Sequence, residues 1–133
     1  MSSLIKHFYD LCGGNIQTKA FNELPDGSSN DFDEDAWADM ITPSSGNKLV
    51  IFGLQIQAKA KGKDESGCAF KVGDYYIGDF WVDDTAVNFF YPFSMNLPVP
   101  AVGAVDAAFK VYTKADTGTL QPSVVVTYGE FTP

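Results

Sequence analysis

Asn88-Phe-Phe-Tyr-Pro-Phe-Ser-Met-Asn-Leu-Pro-Val-Pro-Ala-Val-Gly-Ala-Val-Asp-Ala-Ala-Phe-Lys-Val-Tyr112 is the stretch on which the fold turns. Proline has no N–H to give to a ladder, so it belongs at strand starts, edges and turns. On that reading an aromatic strand ends at Pro92, a second short strand ends at Pro98 and Pro100, and Gly103 starts a third. The spacing predicts the corner of a β-sandwich and contains no recognisable catalytic motif.

Working outward, strand signals fill the chain from Lys48 on. Val50, Phe52, Leu54, Ile56, Ala58 and Ala60 alternate with Gln55, Gln57, Lys59 and Lys61, the period-2 pattern of a strand with one polar face. Cys68–Val72 and Tyr75–Ile77 flank Gly73-Asp74, a two-residue hairpin signal. Phe80–Val82 and Val87–Phe90 follow on either side of Asp83-Asp84. Val105, Ala107, Phe109 and Val111 face one way, with Asp106, Lys110 and Lys114 the other. Asp116-Thr117-Gly118 marks a turn before a last strand, Val124–Tyr128. Seven or eight short strands predict an all-β, antiparallel sandwich or barrel.

Residues 1 to 47 read differently. Two lysines stand there against eight acids, whereas the remaining residues hold seven lysines and nine acids. Ser2 or Ser3 caps a short helix whose stripe is Leu4, Phe8 and Leu11, and Gly13-Gly14 stops it. A second short helix is expected from about Asp33 to Met40, its acidic start complementing the helix dipole. Pro25 to Asn30 reads as a turn or open loop. The apolar residues here (among them Leu4, Phe8, Phe21, Trp37 and Ile41) are too sparse for a core of their own. The expectation is an N-terminal arm, 1–47, attached to a sandwich domain, 48–133. Leu4, Phe8, Phe21, Trp37 and Ile41 then anchor the arm to the body or to a neighbouring subunit.

Composition bounds the function. The chain has 133 residues, 45% of them hydrophobic, which suits one globular domain. No apolar run reaches the roughly 18 residues of a membrane span. The N-terminus has a Lys and an Asp in place of an apolar leader segment, so no secretory signal is expected. Net charge is −8 and every basic residue is lysine. An acidic chain without the arginine fork repels a polyanion, so nucleic acid is not an expected partner.

Candidate chemistry is sparse. Asp31, Asp33 and Asp35 match positions 1, 3 and 5 of a calcium loop, but Ala36 stands where the loop needs Gly and Thr42 where it needs the bidentate Glu. An acidic helix start is the better reading. His7 is the only histidine, and one His with two distant cysteines does not make a zinc site. Cys12 and Cys68 are read as free thiols, Cys68 as a small buried hydrophobe. Asp79 with Asp83 or Asp84 is the single carboxylate pairing near aromatics, and its spacing looks like a turn between strands. No catalytic residue, metal or cofactor is expected. The aromatics from Tyr75 to Phe93 divide between core and surface, and Tyr75, Tyr76, Trp81 and Tyr91 are candidates for a subunit interface or a sugar-stacking platform.

With those residues in view, Pro92–Val111 resembles a pattern met in jelly-roll domains of bacteriophage virion proteins, where proline and β-branched residues lead through Pro-Ala-Gly into the next strand. Pro98, Pro100, Ala101 and Gly103 carry the match. Val102 is inserted before Gly103, and Lys110 stands where arginine is common. The resemblance covers 20 residues of the chain. It implies a jelly-roll-like sandwich in a non-enzymatic virion protein, made in the host cytoplasm and placed on the capsid as a decoration (cement) protein, or in neck or tail. Its partners would be the major capsid or other virion proteins and its own copies, for example as a trimer. A carbohydrate- or receptor-binding module of a tail or neck is the alternative.

Overall fold

The computed structural model describes residues 3–21, 37–61, 66–82, 89–115 and 119–133, without side chains at 57–61, 66–67, 80–82, 89–96, 98, 114–115 and 119–122. Outside it fall the acidic positions Asp31, Asp33, Asp35, Asp83 and Asp84, the turn at 116–118, and the side chains of Trp81 and Tyr91. Among the described residues one helix, α1 (Ser3–Leu11), precedes eight strands: β1 (Gln17–Phe21), β2 (Ala38–Ile41), β3 (Lys48–Lys61), β4 (Ser66–Val72), β5 (Tyr75–Val82), β6 (Phe89–Val102), β7 (Phe109–Ala115) and β8 (Thr119–Phe131).

The strands form two four-stranded sheets, in the orders β1-β8-β3-β6 and β2-β7-β4-β5. Every pairing is antiparallel. First pairs with last, second with seventh, third with sixth, fourth with fifth. The chain is thus one long ribbon doubled back at the β4–β5 turn, then rolled until β3 meets β8 and β4 meets β7. At the turn, Gly73 has φ +58° and Asp74 has no positive φ, the pattern of a II′ hairpin with glycine first.

The core lies between the sheets. Leu49, Ile51, Leu54 and Ile56 of β3, with Val124 and Val126 of β8, face Cys68, Phe70 and Val72 of β4 and Phe109 and Val111 of β7. Phe70 and Phe109 stack with centroids 6.1 Å apart.

Three expectations change. The apolar face of β3 does not run Val50-Phe52-Leu54-Ile56, because a bulge between Ile51 and Gly53 shifts the alternation; Ile51 and Leu54 both point inward, and Val50 lies on the outer side. The proline-rich segment is one strand, β6, not two with a third beginning at Gly103. As an edge strand it needs donors toward β3 alone. Its prolines instead break register: Ile51 opposes Ala101 while Gly53 opposes Asn96, so β6 carries three extra residues around Pro98 and Pro100. Finally, Ala38–Ile41 is strand β2 and not the end of a helix. β1 and β2 are the outer strands of the two sheets, so the sandwich takes in strands well before Lys48, and among the described residues the one element outside it is α1.

Candidate interaction surfaces on the two outer faces

On the outer side of the second sheet the register sets two rows side by side. Asp39, Lys110, Lys71 and Tyr76 follow one another across β2, β7, β4 and β5. In the next row Tyr112, Ala69 and Asp79 are aligned. Trp37, just ahead of β2, lies against Tyr112, with centroids 5.7 Å apart at 45°. Tyr112 is thereby buried although it points away from the core. The Lys71 ammonium sits 4.5 Å from the Trp37 ring centroid, in range for cation–π attraction. Lys110 Nζ lies 3.8 Å from Asp39 Oδ1. The Tyr76 hydroxyl is pushed up to about 12 by burial, by the Asp79 charge and by a hydrogen bond to Asp79.

The hairpin tip holds Tyr75 and Tyr76 in place. Gly73 N–H donates to the Ala108 carbonyl at 2.9 Å, and a Cβ on Gly73 would fall 2.8 Å from that of Ala107. Tyr75 is 53% and Tyr76 50% exposed.

On the outer side of the first sheet, α1 lies against β6. Ile5 and Phe8 are half-buried and Cys12 is buried, a stripe one step away from the expected Leu4-Phe8-Leu11. The Cys12 sulfur occupies the space above Gly129, where a Cβ would come within 2.8 Å of it. Gly13 and Gly14 end the helix at φ +64° and +71°, with Gly14 N–H donating to the Tyr9 carbonyl at 3.1 Å. The sheet covers only part of the apolar arc of α1: Leu4, Tyr9 and Leu11 remain about two-fifths exposed. Beside the helix end, Cys12, Asn15, Ile16, Gln17, Asn47 and Glu130 line a polar cleft of about 400 Å³. Its wall is fixed by Glu130, which accepts from Ser44 N–H at 2.7 Å and from Ser44 Oγ at 3.0 Å.

The predicted residues are thus dispersed. Leu4 and Phe8 lie on α1. Phe21 ends β1 and packs partly against the core, with Lys19 above its ring. Ile41 is in the core itself, 5% exposed, and packs within this chain's own sandwich. Trp37 and Tyr76 share one outer face, at opposite edges of the sheet. Trp81 is on β5 opposite Gly67, and Tyr91 is on β6 in the other sheet. Tyr112 and Lys71 were not singled out from the sequence, although alternation through Lys110-Val111-Tyr112 already puts Tyr112 on the polar side. Among the described residues no three His, Cys, Asp or Glu converge as metal ligands. Both cysteines are free and buried. Burial raises both thiols, that of Cys68 to about 12, which disfavours the nucleophilic thiolate.

No protein-family model matches this sequence, and no curated protein sequence matches it.

Proposed function

We propose that this chain is a non-enzymatic structural protein of a bacteriophage virion, of the capsid-decoration (cement) type. The observation that carries the reading is strand order. A ribbon doubled at β4–β5 and rolled into β1-β8-β3-β6 over β2-β7-β4-β5 supports a reading as an eight-stranded jelly roll with two Greek keys, an architecture used in viral capsid and lectin domains. The resemblance at Pro92–Val111 points the same way. Function in such a protein is adhesion, and α1 offers the means: Leu4, Tyr9 and Leu11 stand exposed on an element that is itself held by the sheet. Its partners are capsid or other virion proteins and further copies of itself.

Deleting residues 1–47 would not test this, because it removes β1 and β2. The double variant Leu4→Asp, Leu11→Asp does. Both positions are exposed, so stability should shift by about 0.5 kcal/mol or less, while copies per purified virion fall at least tenfold. Incorporation at the wild-type level would refute adhesion through α1, and absence of the wild-type protein from virions would refute the role itself.

A second reading, carbohydrate binding in a tail or neck, is favoured by the half-exposed Tyr75 and Tyr76. It requires a saturable tryptophan-fluorescence response to oligosaccharides, and a flat titration would dismiss it.

A further inference from the structure

The polar cleft beside the end of α1 is assembled from three separate parts of the chain. Gly13 and Gly14 turn the backbone after the helix, with Asn15 N–H donating to the Cys12 carbonyl at 3.2 Å and Ile16 N–H to that of Gly14 at 3.0 Å. Asn15 comes close to β8 because position 129 is glycine; a Cβ there would fall 3.3 Å from the Asn15 carbonyl oxygen. Gln17 then opens β1 opposite Tyr128. Asn47 immediately precedes β3, its N–H donating to the Ser44 carbonyl and its carbonyl accepting from Asp106 N–H, both at 2.9 Å. Glu130 comes from β8, opposite Leu49.

Three of the polar side chains are each fixed by a residue outside the lining. Gln17 Oε1 accepts from the Tyr128 hydroxyl at 3.0 Å, and Asn47 Oδ1 accepts from Thr132 Oγ1 at 2.7 Å. Both Glu130 oxygens accept from Ser44. With their oxygens engaged, Gln17 and Asn47 offer a ligand chiefly N–H donors, while Glu130 keeps lone pairs on both oxygens. Donors and an acceptor are thus held in place ahead of any ligand, which lowers the cost of binding.

We propose that this cleft binds a neutral sugar, through neighbouring hydroxyls that donate to Glu130 and accept from Gln17 and Asn47. Each hydroxyl both donates and accepts, which matches the mixed lining. Other chemistries match it less well. An anion would meet the Glu130 carboxylate with no lysine among the described lining residues. Calcium takes roughly 6–8 oxygens, whereas here one carboxylate stands with amide oxygens that are already bonded. An ammonium group carries donors alone and leaves the amide N–H groups unanswered. The volume of about 400 Å³ lies within the roughly 300–1,000 Å³ of small-molecule sites. No aromatic ring is among the described lining residues, so a single sugar unit held by hydrogen bonds is expected, without stacking. The site goes beyond adhesion through α1, and it is separate from Tyr75 and Tyr76, which belong to the other sheet.

Nitrogen-15 NMR of the full chain is the test, with methyl glycosides of glucose, galactose, mannose and N-acetylglucosamine titrated one at a time. At least one should shift the side-chain amide signals of Gln17 and Asn47 saturably, with Kd on the order of 1–10 mM, as suits so small a ligand. Glu130→Gln keeps the shape of the side chain and removes its charge, and it should weaken binding about tenfold. Gln17→Ala, at an exposed position, should weaken binding followed at Asn47 about threefold or more, with the thermal unfolding midpoint near that of the wild type. Flat titrations for all four glycosides would overturn the proposal, as would a response that both variants leave unchanged. If calcium chloride moves the two amides and no glycoside does, the cleft is a cation site and the sugar assignment falls. Shifts confined to Tyr75 and Tyr76 would sink the proposal and leave the carbohydrate reading at the hairpin tip. None of these failures touches the α1 reading, which is tested on Leu4 and Leu11.

Discussion

The two sheets are covered on their outer sides by different devices. A nine-residue helix lies over β1-β8-β3-β6, and none of its own residues is fully buried. Its firmest attachment is Cys12, one residue past its end, seated over Gly129. A helix this short has little stability apart from its packing, so α1 stays only while that seam holds. Over β2-β7-β4-β5 the cover among the described residues is Trp37, adjacent to the strand that anchors it and flanked by Tyr112 and Lys71. The first cover is a separable layer with apolar surface left over, while the second belongs to the sheet. A separable, partly apolar layer is suited to meeting a partner; an integral one secures the fold.

The largest effect should come from the thiols, which sit on either side of this contrast. Cys12 lies in the seam under α1, and Cys68 lies between the sheets at 0% exposure. Detaching α1 exposes only Cys12, whereas Cys68 requires the sandwich to open, and local openings lie well below global unfolding in free energy. In native buffer Cys12 should react with a thiol reagent at least a hundredfold faster than Cys68, as followed by mass spectrometry of the labelled peptides. Equal rates would mean that helix and sandwich open as one unit.

Next in size is the seam itself. Gly129 has no positive φ, so a larger residue there meets no backbone strain and strikes only what lies above it. A Cβ at 129 would approach Cys12 Sγ within 2.8 Å and its Cβ within 3.1 Å. Gly129→Val should cost about 1–3 kcal/mol of stability in urea and raise Cys12 labelling more than tenfold. Cys12→Gly in the same chain should recover most of the loss. If Gly129→Val leaves Cys12 protected, the helix is held by something other than this socket.

The separable cover was the more legible of the two in sequence. Ser3 to Gly14 carries a helical stripe and a glycine stop, both local signals, and the helix forms there with its contact stripe moved to Ile5, Phe8 and Cys12. Trp37 lies within the segment from about Asp33 to Met40 whose acidic start suggests a helix, yet Ala38–Ile41 is a strand because it gains β7 as a partner, Asp39 meeting Lys110 far along the chain. Non-local pairing overrides local propensity in this way. The Gly73-Asp74 hairpin and the Phe109–Val111 alternation were legible because turn chemistry and period are also local. The bulge at Phe52 was not, since a shift of one residue leaves the composition of a strand unchanged and moves which side chains face inward. The prolines of β6 marked an irregularity correctly, but a register break on an edge strand and a corner between strands look the same in sequence.

The smallest expected effect separates the forces that hold Trp37. Its ring meets Tyr112 through apolar contact and Lys71 through charge. Lys71→Gln keeps the stem of the side chain and removes the ammonium, so it should cost only about 0.5–1 kcal/mol. Lys110→Gln, which removes the more exposed pair to Asp39, should cost less still. Combining Lys71→Gln with Trp37→Leu in a double-mutant cycle isolates the ring–ammonium coupling, because the leucine retains apolar cover over Tyr112. A coupling of about 0.5 kcal/mol or more would assign Lys71 a part in holding the cover. A coupling near zero would assign Lys71 no part in holding the cover.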